Sequence, residues 1–364
     1  MTDNTVLEMQ AGDMNLALST LLPVLSKRSK IPFMNAVKID DGKATATDLD
    51  MEVTVTVPKK GDQPESLCFP LPSITRLLKH VDSDEDIIIS KQDDTLAVLF
   101  NGSNYSLYKY DAREFPAFVW NESGAKETII DNVGLLSALK SVFFALSNDE
   151  LRPYLNGVCF SRDANGSPVV VSTDGHRMAI KQIPVMPEGF ENVIVPRKTV
   201  AYLTSRGYEP WSCKHSQERV RFSFSGLTVT SRLIVGTYPD WKRLYPHDAP
   251  VLFSIETIKL FRIVKRLQAF SKGRPIAFTI GEGKIELDVS LADIGIGRET
   301  IVCETFATTG GNDRFGLNSH YLIDILNEYK GCETVTFSQK TSEAPILIHS
   351  DDSDLRCIQM PMRV

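Results

Sequence analysis

Apolar residues recur at the spacing of an amphipathic helix in six segments of the chain. Three longer segments cover residues 14–30, 132–147 and 255–273, and three shorter ones cover 72–80, 196–206 and 319–330. The fifth segment along the chain shows the pattern most clearly, with apolar residues three and four positions apart at Leu260, Ile263, Val264, Leu267 and Phe270. We therefore predict six helices, arranged as three pairs.

Short runs rich in β-branched and aromatic residues lie between the helical segments. Turn signals such as Asn101-Gly102 and Ser225-Gly226 divide them. We predict strands at 53–57, 86–90, 96–100, 105–110, 169–172, 193–196, 219–224, 227–233, 277–280, 285–289, 334–338 and 346–349. Runs of strands interrupted by a few helices are typical of an α+β fold with antiparallel sheets.

These elements repeat with a nearly constant period. The shorter helical segments begin 124 and 123 residues apart, at Pro72, Pro196 and Ser319. The motif at 47–49 returns at 173–175, and Phe115-Pro-Ala-Phe118 returns as Tyr238-Pro-Asp-Trp241. Solenoid repeats are shorter, with about 20–50 residues, so we predict a triplicated domain. The predicted domains are residues 1–126, 127–249 and 250–364.

The formal net charge is −6, which is not typical of a nucleic-acid-binding protein. The sign of the charge, however, changes with the element. The six helical segments hold 15 of the 40 basic residues and three of the 46 acidic ones. Solubility alone would mix acidic residues into these surfaces. The pattern therefore favours helices that face a polyanion and an acidic remainder that repels it. Such a surface would hold DNA loosely, without reading its sequence.

Other signals in the composition are weak. The sequence shows neither a basic, apolar leader nor an apolar run of about 18 residues, so we expect a cytoplasmic protein with no membrane partner. The six cysteines stand too far apart for a zinc ribbon or a redox pair. We expect them to be reduced core residues, and we expect no metal and no cofactor.

Motifs along the whole chain resemble those of the bacterial DNA polymerase III beta subunits, the sliding-clamp family. The stretches that carry the resemblance are Thr47–Glu52, Arg152–Val158, Ser172–Ala179, Val193–Lys198, Thr230–Leu233, Tyr238–Trp241 and Met360–Val364. No single tetrapeptide is specific for this family, but the order and spacing of these stretches along the chain are specific for it. The sequence departs from the family pattern at Pro153, Trp241, Lys242 and Val364, where an aromatic residue, tyrosine, arginine and leucine are usual.

The resemblance implies a non-catalytic processivity factor in DNA replication. In this family a head-to-tail homodimer forms a six-domain ring, with helices lining the hole and antiparallel sheets outside. Double-stranded DNA threads the ring without sequence-specific contacts. The implied protein partners are the polymerase catalytic subunit, the clamp loader and other proteins that carry a short clamp-binding peptide with Gln, Leu and Phe.

The resemblance also implies three sets of site residues. The peptide pocket would comprise Arg152, Tyr154, Leu155, Thr173, Gly175, His176, Arg177, Met178, Pro239, Arg243, Leu244, Asn318, Tyr321, Ile358, Met360, Pro361, Met362 and Arg363. The DNA contacts would be Arg28, Arg76, Lys79, Lys140, Tyr154, Arg197, Lys198, Arg206, Lys259, Arg262 and Arg266. The dimer interface would bring Leu77, Leu78, Tyr105 and Leu107 against Lys265, Leu267 and Gln268.

The residue types of this pocket suit capture of an extended apolar peptide. Methionine and leucine side chains, among them Met178 and Met360, offer adaptable apolar surface. The guanidinium groups of Arg152, Arg177 and Arg243 can donate to peptide carbonyls at the rim.

Two alternatives remain open at this point. Asp174 and His176 would share one face of a strand and could act as metal ligands or as an acid–base pair. No third ligand, phosphate-binding loop or nucleophile elbow accompanies them, so Asp174 and Gly175 better fit a structural turn. The second alternative is a specialised clamp paralogue that acts in repair or drug tolerance.

Overall fold

The computed structural model describes residues 5–26, 31–57, 66–116, 118, 120, 126–130, 132–205, 211–271, 274–305 and 314–364. The helices in these ranges are α1 (Ala11–Leu21), α2 (Leu71–Leu78), α3 (Asn132–Val142), α4 (Arg197–Thr204), α5 (Thr257–Ser271) and α6 (Ser319–Glu328). The strands are β1 (Thr5–Gln10), β2 (Ala36–Asp40), β3 (Lys43–Thr47), β4 (Met51–Thr56), β5 (Leu67–Pro70), β6 (Asp86–Gln92), β7 (Thr95–Phe100), β8 (Ser103–Tyr108), β9 (Lys126–Ile130), β10 (Gly157–Arg162), β11 (Pro168–Thr173), β12 (Arg177–Gln182), β13 (Ile194–Pro196), β14 (Trp211–His215), β15 (Arg219–Phe224), β16 (Leu227–Arg232), β17 (Val251–Glu256), β18 (Ile276–Gly281), β19 (Lys284–Leu291), β20 (Gly295–Val302), β21 (Glu304–Thr305), β22 (Arg314–Leu317), β23 (Thr334–Ser338), β24 (Ile346–His349) and β25 (Arg356–Gln359).

Each of the six predicted helical segments contains a helix. The largest difference is at α1, which begins three residues early and ends at Leu21, and residues 27–30 of the predicted segment lie outside the described residues. Pro23 explains this end, because it lacks a backbone N–H and its ring clashes with the preceding turn. The side chain of Asn318 caps α6 by accepting from the backbone N–H groups of His320 and Tyr321, at 3.0 and 3.3 Å.

The first compact unit comprises residues 1–130 and 209–233. Its larger sheet has the strand order β5-β2-β3-β4-β16-β15-β14-β9, and its smaller sheet has the order β1-β6-β7-β8. Helix α1 packs against α2 and against β3 and β4. The buried residues Met14, Leu18, Val53 and Ile74 form part of this core.

The second compact unit comprises residues 131–208 and 234–364. Its larger sheet has the order β13-β10-β11-β12-β25-β24-β23-β17-β21, and its smaller sheet has the order β20-β19-β18-β22. Helix α3 packs on α4 and on β11 and β12, while α5 packs on α6 and on β17 to β20. The rings of Phe253, Phe278 and Phe337 stack in the core.

The α+β fold with antiparallel sheets is confirmed, since the paired strands run antiparallel throughout both units. Strands β14 to β16 belong to the predicted second domain, yet they share a sheet with strands of the predicted first domain. The division near residues 126 and 249 therefore stays a prediction. None of the described helices has both the length and the apolar composition that a membrane span requires.

The first and second repeats share one strand register. Residues 126 positions apart hold equivalent places on β3 and β11, and on β4 and β12. The cross-strand pairs Val171–Ile180 and Met178–Ile358 correspond to the pairs Thr45–Thr54 and Glu52–Thr230. The predicted sequence repeat is thus also a repeat of backbone pairing.

Candidate functional site

A tight turn between β11 and β12 lies at the centre of the candidate site. The Asp174 Oδ1 atom accepts hydrogen bonds from the backbone N–H groups of His176 and Arg177, at 2.9 and 3.0 Å. The Thr173 hydroxyl donates to the Arg177 carbonyl oxygen at 2.6 Å and accepts from the backbone N–H of Gly175 at 3.0 Å. Both side chains therefore stabilise the turn, as short polar side chains commonly do.

The metal-site alternative placed Asp174 and His176 on one strand face, and that placement is wrong. Strand β11 ends at Thr173 and β12 begins at Arg177, so both residues lie in the turn. Within the described ranges, no group of three or more His, Cys, Asp or Glu side chains could hold a metal ion. Gly175 has φ +91°, a left-handed backbone conformation that favours glycine.

A small cavity of about 170 Å³ opens beside this turn. Its walls are formed by Arg152, Tyr154, Leu155, Thr173, Gly175, His176, Arg177, Met178, Pro239, Trp241, Leu244, Ile358 and Met360. All of them except Trp241 belong to the predicted peptide pocket. The cavity is smaller than the roughly 300–1,000 Å³ of typical small-molecule sites, and its size suits inserted side chains.

The floor of the cavity is an apolar patch on β11, β12 and β25. Met178 and Ile358 face each other across β12 and β25 and are buried together with Trp241. Leu155 is buried at one side, whereas Leu244 and Met360 are exposed at the mouth. An apolar side chain that enters here would lose contact with water on most sides, which is favourable by about 25 cal/mol per Å² buried.

Trp241 is the lining residue that the sequence prediction missed. Its side chain is only 6% exposed, and its indole N–H donates to the Ser161 hydroxyl at 3.3 Å. The Lys242 ammonium lies 6.0 Å from its ring centroid. The signal was present in the Tyr238–Trp241 motif, from which the prediction took only Pro239.

Arg177 requires a correction to its predicted role at the rim. Its guanidinium donates to Asp174 at 3.2 Å, to Asp324 at 2.6 Å and to the carbonyl oxygen of Phe144 at 2.8 Å. It also lies 4.5 Å from the ring centroid of Tyr321. With its donors engaged inside the protein, Arg177 holds β12 to α6 and to the segment after α3, and it positions the cavity wall.

Six predicted pocket residues lie outside the cavity lining: Arg243, Asn318, Tyr321, Pro361, Met362 and Arg363. Tyr321 stacks on His176, with ring centroids 6.1 Å apart. Arg243 forms an ion pair with Asp240 at 2.8 Å and remains largely exposed. The other four accompany the carboxyl-terminal tail or the start of α6.

Backbone hydrogen bonds fix the carboxyl-terminal tail beside the cavity. The backbone N–H of Met360 donates to the carbonyl oxygen of His176 at 2.9 Å, and that of Met362 donates to Gly316 at 2.8 Å. The Gln359 side-chain amide donates to the backbone carbonyl of Asn318 at 3.0 Å. The tail thus joins the β11–β12 turn to β22 and the start of α6.

The predicted DNA-contacting cations divide by their exposure. The exposed members are Arg76, Lys79, Lys140, Lys259, Arg262 and Arg266. Lys198 is partly buried, and Tyr154, the one uncharged member of the predicted set, lines the cavity beside the β11–β12 turn. Arg28 and Arg206 lie outside the described residues.

Several of these cations contact other groups of the protein, and Arg76, for example, donates to the Pro72 carbonyl oxygen at 2.9 Å. Arg197 donates to the Leu146 carbonyl oxygen at 3.1 Å and lies 4.7 Å from the Phe143 ring centroid, and burial lowers its pKa. Arg266 donates twice to the Glu299 carboxylate, at 2.8 and 3.0 Å. These hydrogen bonds raise the pKa of Arg266 and lower that of Glu299. Of the two exposed arginines of α5, Arg266 has its charge compensated by Glu299.

The predicted dimer-interface residues also divide by burial. Leu78 and Leu267 are 2% and 3% exposed and pack into the core of the single chain. Tyr105 and Lys265 are exposed, and Leu77, Leu107 and Gln268 are partly exposed. Only the latter five therefore have surface that a second copy could contact, while the two buried leucines do not.

The equivalent surface of the first repeat is polar. Glu52 stands in the place of Met178, and the hydroxyls of Thr45 and Thr54, which replace Val171 and Ile180, are hydrogen bonded at 3.0 Å. Arg221 donates to the Thr230 hydroxyl at 3.2 Å beside them. The apolar floor that defines the cavity of the second repeat is absent from these positions.

Comparisons with known proteins agree along the chain. The model of the central domain of the DNA polymerase III beta subunit matches residues 130–240, and that of its C-terminal domain matches residues 242–363. Curated proteins named beta sliding clamp from Caulobacter vibrioides and Pseudomonas aeruginosa are 27% and 28% identical. The aligned regions cover 96% and 95% of this chain and 97% and 96% of those proteins.

Solved structures show the same similarity. The crystal structure of a DNA polymerase sliding clamp from Caulobacter crescentus has a TM-score of 0.90 at 26% identity. That of the DNA polymerase III subunit beta from Pseudomonas aeruginosa has a TM-score of 0.88 at 25% identity. In both cases the match covers 98% of this chain and 99% of the other. None of these names favours the specialised-paralogue alternative.

Proposed function

The chain belongs to the family of DNA polymerase III beta subunits, the beta sliding clamps, and we propose on this premise how it works as a clamp. Two copies close into a ring around duplex DNA. The ring tethers the replicative polymerase, the clamp loader and other clients in the cytoplasm. Sliding clamps are non-catalytic processivity factors, so the retention of the polymerase depends on topology and on client binding.

The observation that carries this proposal is the apolar cavity at the junction of β11, β12 and β25. Residues from three distant segments meet there, and the exposed side chains of Leu244 and Met360 surround its opening. An extended peptide with a Leu-Phe pair would insert both side chains over Met178 and Ile358. Its preceding glutamine would lie along the tail, near Met360 to Met362.

Open sheet edges support the proposed homodimer. The smaller sheets of the two units end in β8 and β20, and neither outer edge has a strand partner among the described residues. Tyr105 on β8 and Ile296 and Val302 on β20 are exposed. An unpaired edge with apolar side chains is a template for strand addition. Pairing of β8 with β20 of a second copy, repeated once by symmetry, would close a ring.

The peptide site is tested by fluorescence polarisation with a labelled peptide that contains glutamine and a downstream Leu-Phe pair. Deletion of Met360–Val364 removes one wall and should abolish binding and polymerase stimulation, while the dimer persists. Leu244→Asp should weaken binding by about fivefold or more, since loss of an apolar contact that the peptide would cover costs about 1–3 kcal/mol.

The matched control is Ile31→Asp. Ile31 is 51% exposed, close to the 49% of Leu244, but it belongs to the first unit and does not line the cavity. This variant should bind the peptide like the wild-type chain. Wild-type affinity in the tail deletion or in Leu244→Asp would show that the cavity is not the peptide site.

A further inference from the structure

A second cavity, of about 390 Å³, lies on the same face of the same sheet as the peptide cavity. Its floor includes Val169 and Ile180, and its sides include Trp241, Lys242, Tyr245 and His247. Trp241 lines both cavities. Its buried ring contacts one apolar cluster that continues beneath both openings.

The two cavities lie one after the other along strands β12 and β25. On β12, Met178 belongs to the first cavity and Ile180 to the second. On β25, Ile358 belongs to the first and Arg356 to the second. Side chains two positions apart on a strand share a face and lie roughly 6.5–7 Å from each other. An extended peptide would cover this distance with two residues.

The order of sites along β25 gives the direction of a bound peptide. Met360 and the tail lie at one end, Ile358 in the middle and Arg356 at the other. With the glutamine along the tail and the Leu-Phe pair in the first cavity, the residues after the pair pass Trp241 and reach the second cavity. This direction rests on the proposed peptide site.

The charges of the second cavity show which side chain would fit there. The Asp163 carboxylate accepts from the backbone N–H groups of Asn165 and Ser167, both at 2.8 Å. Asp354 is ion-paired with Lys181. The exposed ammonium of Lys242, in contrast, meets no carboxylate among the described residues and lies over Trp241.

We propose that the second cavity binds the downstream flank of the clamp-binding peptide and favours an acidic side chain two or three residues after the apolar pair. The aliphatic part of that residue covers Val169 and Ile180, and its carboxylate pairs with Lys242. Clients with an acidic downstream flank therefore bind more tightly than clients with a neutral one.

The test compares three amidated peptides on the intact chain. One ends at the Leu-Phe pair, one is extended by a short flank that contains glutamate, and one has glutamine in its place. The glutamate flank should bind about twofold to fivefold more tightly than the glutamine flank at low ionic strength. The difference should shrink as salt screens the ion pair.

Lys242→Gln should remove this difference while leaving the affinity for the unextended peptide unchanged. Lys284→Gln is the control, because Lys284 is an exposed lysine of the same unit that lines neither cavity. Equal binding of the two flanks to the wild-type chain would overturn the inference. So would an undiminished preference for the glutamate flank in Lys242→Gln. Failure of the unextended peptide to bind would instead refute the proposed peptide site.

Discussion

Glu52 lies on β4 with its carboxyl among threonine side chains of the first repeat. Burial raises the pKa of this carboxyl to about 7, although the backbone N–H of Phe118 and the charges of Arg221, Arg219 and Lys38 act in the opposite direction. The folded chain therefore holds this proton more tightly than the unfolded chain, in which the carboxyl ionises near pH 4.5. It follows that the free energy of unfolding falls as the pH rises from about 4.5 to about 7.

We predict that Glu52→Gln stabilises the chain at pH 8, where the wild-type carboxylate is ionised and partly buried. The expected gain in the free energy of unfolding is about 1–3 kcal/mol. At pH 4.5 and below the gain should be small, since glutamate is then largely protonated in the folded state. Urea denaturation at both pH values measures this, and an equal effect at the two would contradict the assigned pKa.

Single residues of the candidate site were predictable where their contacts are local. The roles of Asp174 and Gly175 could be inferred because the hydrogen bonds and the backbone bend involve neighbours within three positions. The predicted rim role of Arg177 was wrong, because its guanidinium instead binds Asp324, which lies 147 residues away in the sequence. Nothing in the local sequence distinguishes an arginine at the rim from one engaged within the protein.

At the scale of the element, helix α5 offers a direct test of the proposed DNA-facing surface. Arg262 is exposed, whereas Arg266 on the same helix is paired with Glu299. Arg262→Gln should lower affinity for a short duplex about twofold to fivefold at low salt. It should also reduce the slope of log affinity against log salt by up to about one. Fluorescence anisotropy over a salt series measures both.

Arg266→Gln is the matched change, one helical turn further along α5. Its charge is already compensated, so this variant should bind duplex DNA with nearly wild-type affinity and slope. A larger loss from Arg266→Gln than from Arg262→Gln would show that Arg266 leaves Glu299 to contact phosphate. Tight, sequence-specific binding by the free chain would contradict the whole electrostatic assignment.

Helices were predicted more completely than strands because their periodic pattern is contained in one segment. The strands of the peptide site illustrate the difficulty. Strand β12 pairs with β25 across nearly half of the chain, and its sequence begins with arginine and ends with lysine and glutamine. Neither β12 nor β25 was predicted as a strand. The floor of the cavity exists only through their pairing, which no local pattern reveals.

At the scale of the whole molecule, a measurement of the molar mass in solution tests the proposed homodimer. Light scattering at micromolar concentration should give about twice the 40.6 kDa of one chain. Leu107→Asp places a charge on the edge strand β8 and should shift the species toward one chain. Because the peptide cavity lies within the second unit, this variant should still bind the peptide.

Leu16→Asp provides the control for this experiment. Leu16 is exposed on α1, away from both edge strands in the sequence, so the variant should retain the mass of two chains. A wild-type chain that stays at 40.6 kDa under the same conditions would refute the homodimer.

In the first repeat, polar residues stand where the second repeat has the apolar floor of the cavity, and this difference affects how clients would share the clamp. Glu52 and Thr230 occupy the places of Met178 and Ile358, so the repeated register does not duplicate the docking place. In the proposed clamp, the first repeat would therefore offer clients no second docking place of this kind. In the proposed clamp, a second polymerase would replace the first at this cavity only after the bound peptide dissociates. The lifetime of a single peptide in one cavity, rather than the number of repeats, would thus set the rate at which clients exchange.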